Sequence, residues 1–341
     1  MNSHTHPPLS VALSLAMTMA LAPLAIDTYL PAFPQMAEQL EVSIHAVSLS
    51  IATYVFILAV AQLVGGPLSD RIGRAPVMLS GMAIFIVASL AISQVTSLGG
   101  LLAARGVQAF GGGWAMVCVA ATVRDKLSGA EAARFFSLIG LMMIIAPAFA
   151  PSIGSLLLML SSWPLIFIFL AGYGMLTALL VKTQVFKTGT PKPSQSVQLS
   201  LWERYRAVLS NRQALRFLAL QTLSFSVMLL FISHSSFIYQ EHFGASPNRF
   251  SLLFGANILV MLAMNMLNRK LLKQHDAFAI LRWTVSMQFT GILLLIMVVT
   301  LAPTLGLFLP AMMFILLLWK IRLTDSDRKL NLIPCCIQKS F

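Results

Sequence analysis

Residues 9–319 form a succession of apolar segments near 9–33, 44–68, 77–95, 98–123, 132–160, 164–181, 214–240, 250–267, 278–301 and 304–319. Most are close to the roughly 20 residues that an α-helix needs to cross the hydrocarbon core of a bilayer. Inside lipid every backbone N–H and C=O has to be satisfied within the protein, and for segments of this length the helix does so. Charged residues make up only 10% of the chain and hydrophobic ones 58%, against about a quarter charged in a soluble domain. There is too little polar surface to cover a water-exposed core. The expected fold is all-α and polytopic, with the lipid bilayer as its solvent.

The formal charge is +12, a value that in a soluble chain would point to nucleic acid. Here its placement argues for membrane orientation instead. If the spans alternate from a cytoplasmic N-terminus, all but Arg105 and Arg249 of the 23 Lys and Arg fall on the cytoplasmic side, Arg71, Arg74, Arg124, Lys126 and Arg134 among them. That is the positive-inside bias, and no nucleic-acid partner is expected. Cys118, Cys335 and Cys336 supply no disulfide framework. No Lys or Arg precedes the first apolar stretch, so residues 9–33 are read as a retained span rather than a cleaved leader.

Most connections are short, making consecutive spans antiparallel neighbours. The exception is residues 182–213, polar and carrying Pro191 and Pro193. The expected organisation is therefore a six-helix bundle over 1–181, a cytoplasmic linker over 182–213, a partial bundle of four helices over 214–319 and an atypical polar tail over 320–341. A six-plus-something plan with a central loop suggests repeated halves, as in many secondary transporters. The second half is two spans short of the first.

Ionisable residues inside spans are expensive and tend to mark function. Asp27 lies in "LAPLAIDTYLPAFP" and Arg105 in "LGGLLAARGVQAFGGGW". Each is six or seven residues from its outer end, about 10 Å at 1.5 Å per residue. Opposite charges at one depth suggest a shared cavity in which Asp27 exchanges a proton and Arg105 tunes it. A structural ion pair, or Asp27 reaching to the nearby surface, would use the same residues. Gln108 follows Arg105 by three residues, faces the same way and could extend a network. Tyr29, Tyr54 and Trp114 are candidate aromatic walls. In the fifth span Ala146, Ala150 and Gly154 make a small-residue face that admits a close helix, and Pro147 and Pro151 beside it should bend the helix. The reading divides between a packing seam and a gating element. His234 in the seventh span reads as hydrogen-bonded structure. With no metal-ligand cluster, phosphate loop or nucleophile triad, neither an enzyme nor a cofactor is expected.

The remaining feature is "GGPLSDRIGRAP", residues 65–76, a charged turn between two apolar spans. Gly66 would let the second span pack closely, Gly73 would permit a tight reversal, Asp70 would accept charge-assisted hydrogen bonds, and Arg71 and Arg74 would sit among headgroups. Gly66, Leu68, Ser69, Asp70, Arg71, Gly73 and Arg74 resemble motif A of the major facilitator superfamily at the same spacing. "LAARGVQAFGGG" resembles its motif B, and "APAFAPSIG" the antiporter signature of span 5. "DTYLPAFPQM", "ATVRD" and "FIYQEHFGASPNRFSLLFGAN" are similar to the Bcr/CflA branch of drug:proton antiporters.

The resemblance implies a monomeric major facilitator fold in a bacterial inner membrane, working by alternating access. It implies export of small amphipathic drugs driven by inward proton flow, with Asp27 as the coupling carboxylate and Arg105 as the motif B arginine. Some relatives carry a second acid two turns earlier, where this chain has Met19, which leans toward neutral cargo such as phenicols. The family has twelve spans, and motif A's aspartate is thought to engage span 11. "KIRLTDSDRKLNLIPCCIQKSF" reads like a different frame, so the expectation is a truncated or frameshifted transporter whose Asp70 lacks that partner. A non-transporting membrane fragment, and a transporter of a sugar, nucleoside or metabolite, stand as alternatives.

Overall fold

The computed structural model describes residues 9–126, 129–187, 206, 209–271 and parts of 283–300. The described residues are helical throughout, with no strand. The helices are α1 (Leu9–Asp27), α2 (Phe33–Gln39), α3 (Ile44–Ile72), α4 (Arg74–Ile92), α5 (Leu98–Lys126), α6 (Gly129–Leu160), α7 (Pro164–Leu180), α8 (Arg212–Ser236) and α9 (Pro247–Leu271). Six candidate membrane spans lie among the described residues, one overlapping each of the first six apolar segments, with α1 and α2 forming the first of them. The linker lies largely outside the described residues, the ninth segment is described only in pieces, and the tenth segment and the tail lie outside them.

Local chemistry fixes the ends. Pro31 and Pro34 have no N–H to give the carbonyls of Asp27 and Leu30, so the first span cannot continue as a regular helix. It stops at Asp27, makes a 3-10 turn over Leu30–Ala32 and resumes as α2. Ser43 caps α3, its hydroxyl accepting from the Ala46 N–H at 3.2 Å, and Ser97 does the same for Gly100 in α5 at 3.2 Å. Asp70 and Arg71 lie in the last turn of α3, while Arg74 opens α4. The reversal between them is therefore made by Gly73 alone, at φ +101°, a conformation that side chains rarely adopt.

Apolar side chains pack no better on each other than on lipid tails, so helices in a bilayer associate through small residues and hydrogen bonds. At the α4–α5 crossing, a Cβ on Gly81 would lie 2.6 Å from the Gly111 carbonyl oxygen and 2.9 Å from the Ala115 nitrogen. At the α3–α5 crossing, a Cβ on Gly113 would lie 2.9 Å from the Leu58 oxygen. The close approach at the end of α3 belongs to Gly65, whose added Cβ would meet Trp114 Cδ1 at 2.8 Å. Gly66, the sequence candidate, has only an ordinary 3.7 Å contact with Val117. Consecutive positions on a helix point about 100° apart, so one glycine faces α5 and the next does not.

Helix α1 packs against α5, α6 and α7. Polar ties fix it at two levels: Tyr173 of α7 donates to the Met17 carbonyl at 2.9 Å, and the Trp163 N–H donates to Gln35 Oε1 of α2 at 3.0 Å. The outward positions are large and apolar, Phe56, Val87, Phe149 and Leu179 among them. Contacts group residues 1–196 with 233–255 as one compact unit, and residues 197–232 with 256–341 as a second. In the first unit the end of α8 and the beginning of α9 sit on the face that carries the turns at 28–43, 93–97 and 161–163. We call this the distal face and the Gly73 side the proximal face.

Candidate functional site: a buried arginine beside the break in the first span

Arg105 is fully buried in α5. Its Nη1 donates to Gln108 Oε1 at 2.6 Å and to the Ala25 carbonyl oxygen of α1 at 3.1 Å. Gln108, also fully buried, passes the chain on by donating Nε2 to Ser89 Oγ of α4 at 2.7 Å, and Ser89 donates to the Phe85 carbonyl at 2.6 Å. The guanidinium carbon lies 4.5 Å from the centroid of the Tyr29 ring, 4.3 Å from that of Tyr54 and 6.0 Å from that of Phe167. A desolvated cation between aromatic faces is stabilised by the ring quadrupoles. The Tyr29 hydroxyl shares a 2.8 Å hydrogen bond with Ser50. The Tyr54 hydroxyl and the Nε and Nη2 atoms of Arg105 are buried without a hydrogen-bond partner.

Asp27 closes α1 and is 3% exposed. Its Oδ1 is buried and has no hydrogen-bond partner. No ion pair joins it to Arg105: the arginine is tied to the Ala25 carbonyl two residues earlier, and its charge faces rings. The structure thus brings the two sequence candidates to one region without pairing them. Gln108, Tyr29 and Tyr54 gather around Arg105 as well. Trp114 does not. It lies two and a half turns further along α5, in the seam against Gly65, with its ring 4.7 Å from that of Phe110.

The fifth-span motif lies on α6, which runs as one helix through Pro147 and Pro151. Ala146, Ala150 and Gly154 are buried. Gly154 abuts the backbone carbonyl of Thr28, the residue after Asp27, so tightly that a Cβ there would collide with it. On the proximal face Arg74 joins three groups: Asp70 Oδ1 at 2.5 Å, Ser69 Oγ at 2.6 Å and Asp125 Oδ2 of α5 at 3.1 Å. Asp70 is thus paired within its own motif, and Arg71 is exposed. The expectation that Asp70 lacks a span 11 partner falls on residues outside the described ones.

Sequence reasoning missed Ser50, Ser89, Phe167 and Asp125. Serine and phenylalanine in an apolar helix carry no signal of their own. Asp125 did carry one, as an acid at a span end inside a family-like string.

The family model of the Major Facilitator Superfamily matches residues 15–321. A bicyclomycin resistance protein homolog of Haemophilus influenzae is 28% identical over 278 residues, 81% of this chain and 70% of that protein. A chloramphenicol resistance protein of Pseudomonas aeruginosa is 31% identical over 280 residues, 81% of this chain and 65% of the relative. Multidrug resistance protein MdtL of Klebsiella pneumoniae is 30% identical over 246 residues, 72% and 62% respectively. The chain thus spans about two thirds of the length of these relatives. Among solved structures, a bacterial homolog of the human lysosomal transporter Spinster, in an inward-facing and unoccupied conformation, matches with TM-score 0.73. It is 14% identical, and the match covers 99% of this chain and 78% of that one. The nucleoside transporter NupG also gives 0.73 at 14% identity, covering 97% and 85%. With the family model matched over most of the chain and these relatives beside it, the chain belongs to the Major Facilitator Superfamily, in its Bcr/CflA-type branch.

Proposed function

We propose that this chain carries the proton-coupling half of an exporter of small amphipathic drugs, acting as a drug:proton antiporter by alternating access. It lies in a bacterial inner membrane, as a monomer with its N-terminus cytoplasmic. The observation that carries the reading is Asp27, a buried carboxylate with an unpartnered oxygen, placed at a helix break. A carboxylate buried for structure alone would be expected to be paired or hydrogen-bonded. One that loads and releases a proton has to remain available.

In this reading Asp27 carries the proton. Arg105 is a fixed cation, locked by Gln108 and Ser89 from behind and by two phenol rings from the sides. It holds the break open through the Ala25 carbonyl and disfavours a second cation beside Asp27. Cargo is neutral or weakly polar, since Met19 stands where a second acid would serve a cationic drug; resistance relatives named for chloramphenicol and bicyclomycin support this class. The Arg74 cluster at the proximal face ties α3, α4 and α5 together. The basic residues of the sequence that fall on that side support a cytoplasmic position for it.

The test uses inverted membrane vesicles with an imposed pH gradient and an acridine dye that reports it. Adding chloramphenicol should release protons from wild-type vesicles, an uncoupler should abolish the response, and Asp27→Asn should abolish it while retaining drug binding. Normal drug-dependent proton release by Asp27→Asn would overturn the assignment. Drug binding without proton release by the wild type would make the chain a binding fragment instead.

A further inference from the structure

Helix α8 does not stop at Ser236 but widens into a π-helical stretch, Phe237–His242, a local irregularity that recurs at functional sites. Just before it, His234 meets a histidine from another span. His45, in the first turn of α3, has its ring 5.7 Å from that of His234, with the planes 53° apart. The Phe237 ring packs on His45 at 4.4 Å. Both histidines belong to the first compact unit. They sit at the distal face, His45 exposed and His234 half-buried. Ser233 Oγ shares a 3.0 Å hydrogen bond with Nδ1 of His234. The other charged side chains of this face among the described residues are Glu38, Glu41 and Glu241 against Arg249, all exposed, with the exposed His242 beside Glu241.

We propose that His45 and His234 form a distal-face binding site for a divalent transition-metal ion of the Zn2+, Ni2+ or Cu2+ class, which ties α3 to the end of α8. A single histidine in a span is ordinary hydrogen-bonded structure; two that converge from separate helices are a donor pair. Two imidazole nitrogens on one tetrahedral Zn2+, each about 2.0–2.1 Å from it, put their ring centres about 5 Å apart. A small rotation of either side chain from the observed 5.7 Å therefore seats the ion. Imidazole selects this class of metal, whereas Mg2+ and Ca2+ take oxygen ligands. Ser233 supplies the outer-shell contact that orients a ligating ring, which assigns coordination to Nε2 of His234. Phe237 steadies the other ring, and the acidic excess of the face attracts a cation. Among the described residues no three His, Cys, Asp or Glu side chains gather as a ligand set. Two imidazoles are thus the protein's share, water completes the shell, and the ion exchanges with the medium rather than residing permanently.

The experiment uses the full chain purified in detergent without a histidine tag, with His4 and His6 replaced by alanine so that the histidines of the N-terminal sequence contribute nothing. Thermal unfolding is followed against ZnCl2, with MgCl2 in parallel. Zn2+ should raise the melting temperature in a saturable way, since a ligand of the folded state stabilises it by mass action, and Mg2+ should not. His45→Asn and His234→Asn should each abolish the shift, and His242→Asn should leave it unchanged. Ser233→Ala should weaken the apparent affinity by about tenfold, the scale of outer-shell losses. Protons compete with the ion for imidazole, so the effect should fade as the pH falls from about 7.5 to about 5.5. Melting without metal reports whether each variant folds, and His45→Asn, at an exposed position, carries the test by itself if His234→Asn does not fold. No saturable Zn2+ shift in the parent, or a shift that survives His45→Asn, would overturn the site.

Discussion

Arg105 and Tyr54 stand face to face across the α3–α5 interface, guanidinium carbon to ring centroid 4.3 Å apart, with the Tyr29 ring close by at 4.5 Å. The charge is held by π faces, a glutamine and one backbone carbonyl. Lysine offers one compact ammonium in place of a planar fork. It cannot stack and reach Ala25 and Gln108 together. Arg105→Lys should therefore destabilise the protein by about 2 kcal/mol, the scale of a desolvated cation–π contact. Tyr54→Leu should cost nearly as much, and the two changes together should fall well short of their sum. Thermal unfolding of the detergent-solubilised single and double variants would measure this; strict additivity would mean that Tyr54 only fills space.

At the proximal face Arg74 lies between two carboxylates, Asp70 and Asp125. These side chains are 19% to 41% exposed, so each pair is worth only about 0–1 kcal/mol. Removing the arginine differs from removing either acid, because it leaves both carboxylates without their shared counter-charge. Arg74→Ala should lower the melting temperature more than Asp70→Asn or Asp125→Asn. Combining Arg74→Ala with Asp125→Asn should recover part of the loss. A double-mutant cycle in low and high salt tests this, with the coupling expected to shrink as salt screens the pairs.

Two glycines, one in α4 and one in α3, should respond with opposite signs. Gly81 has no room: its Cβ would meet backbone atoms of α5 at 2.6 and 2.9 Å, and overpacking of this kind costs about 1–3 kcal/mol. Gly66 has room, with Val117 at 3.7 Å, and alanine stabilises a helix interior over glycine by about 0.5–1 kcal/mol. Gly81→Ala should lower thermal stability and Gly66→Ala should leave it equal or higher. A loss in both would mean that the start of motif A is chosen for something other than packing.

What could be read from the sequence divides along one geometric line. Depth along a helix comes from counting residues, so the six spans and the shared level of Asp27 and Arg105 were legible, whereas the first span, read as continuous over 9–33, stops at Asp27 and resumes at Phe33. The i, i+3 spacing also placed Gln108 beside Arg105. Rotation about the helix axis is set by neighbours that the apolar pattern does not name. That is why Arg105 turned out to face Tyr29 and Tyr54 rather than Asp27, why Trp114 fell into the Gly65 seam, and why Gly65 rather than Gly66 makes the close contact. The hydrogen bond shared by the Ser155 and Ser251 hydroxyls joins residues 96 positions apart, each an ordinary serine in its own helix.

Asp27 offers a test in which stability and function should part. The carboxylate is buried with an oxygen that has no hydrogen-bond partner, and an ionisable group in a membrane interior costs about 2.5–3.5 kcal/mol on insertion scales. Asparagine has the same shape and no charge to desolvate, so Asp27→Asn should unfold at the same or a higher temperature than the wild type. A residue kept for structure would show the reverse. The same substitution removes the carboxylate that closes α1, and should abolish drug-driven proton release in vesicles. Asp27→Glu retains the chemistry but adds a methylene beside the tight Thr28–Gly154 contact. It should keep some coupling while losing stability. Paired melting and proton-release measurements on the three proteins would decide the matter: if Asp27→Asn is both less stable and still coupled, the carboxylate is a structural residue and the proton carrier lies elsewhere.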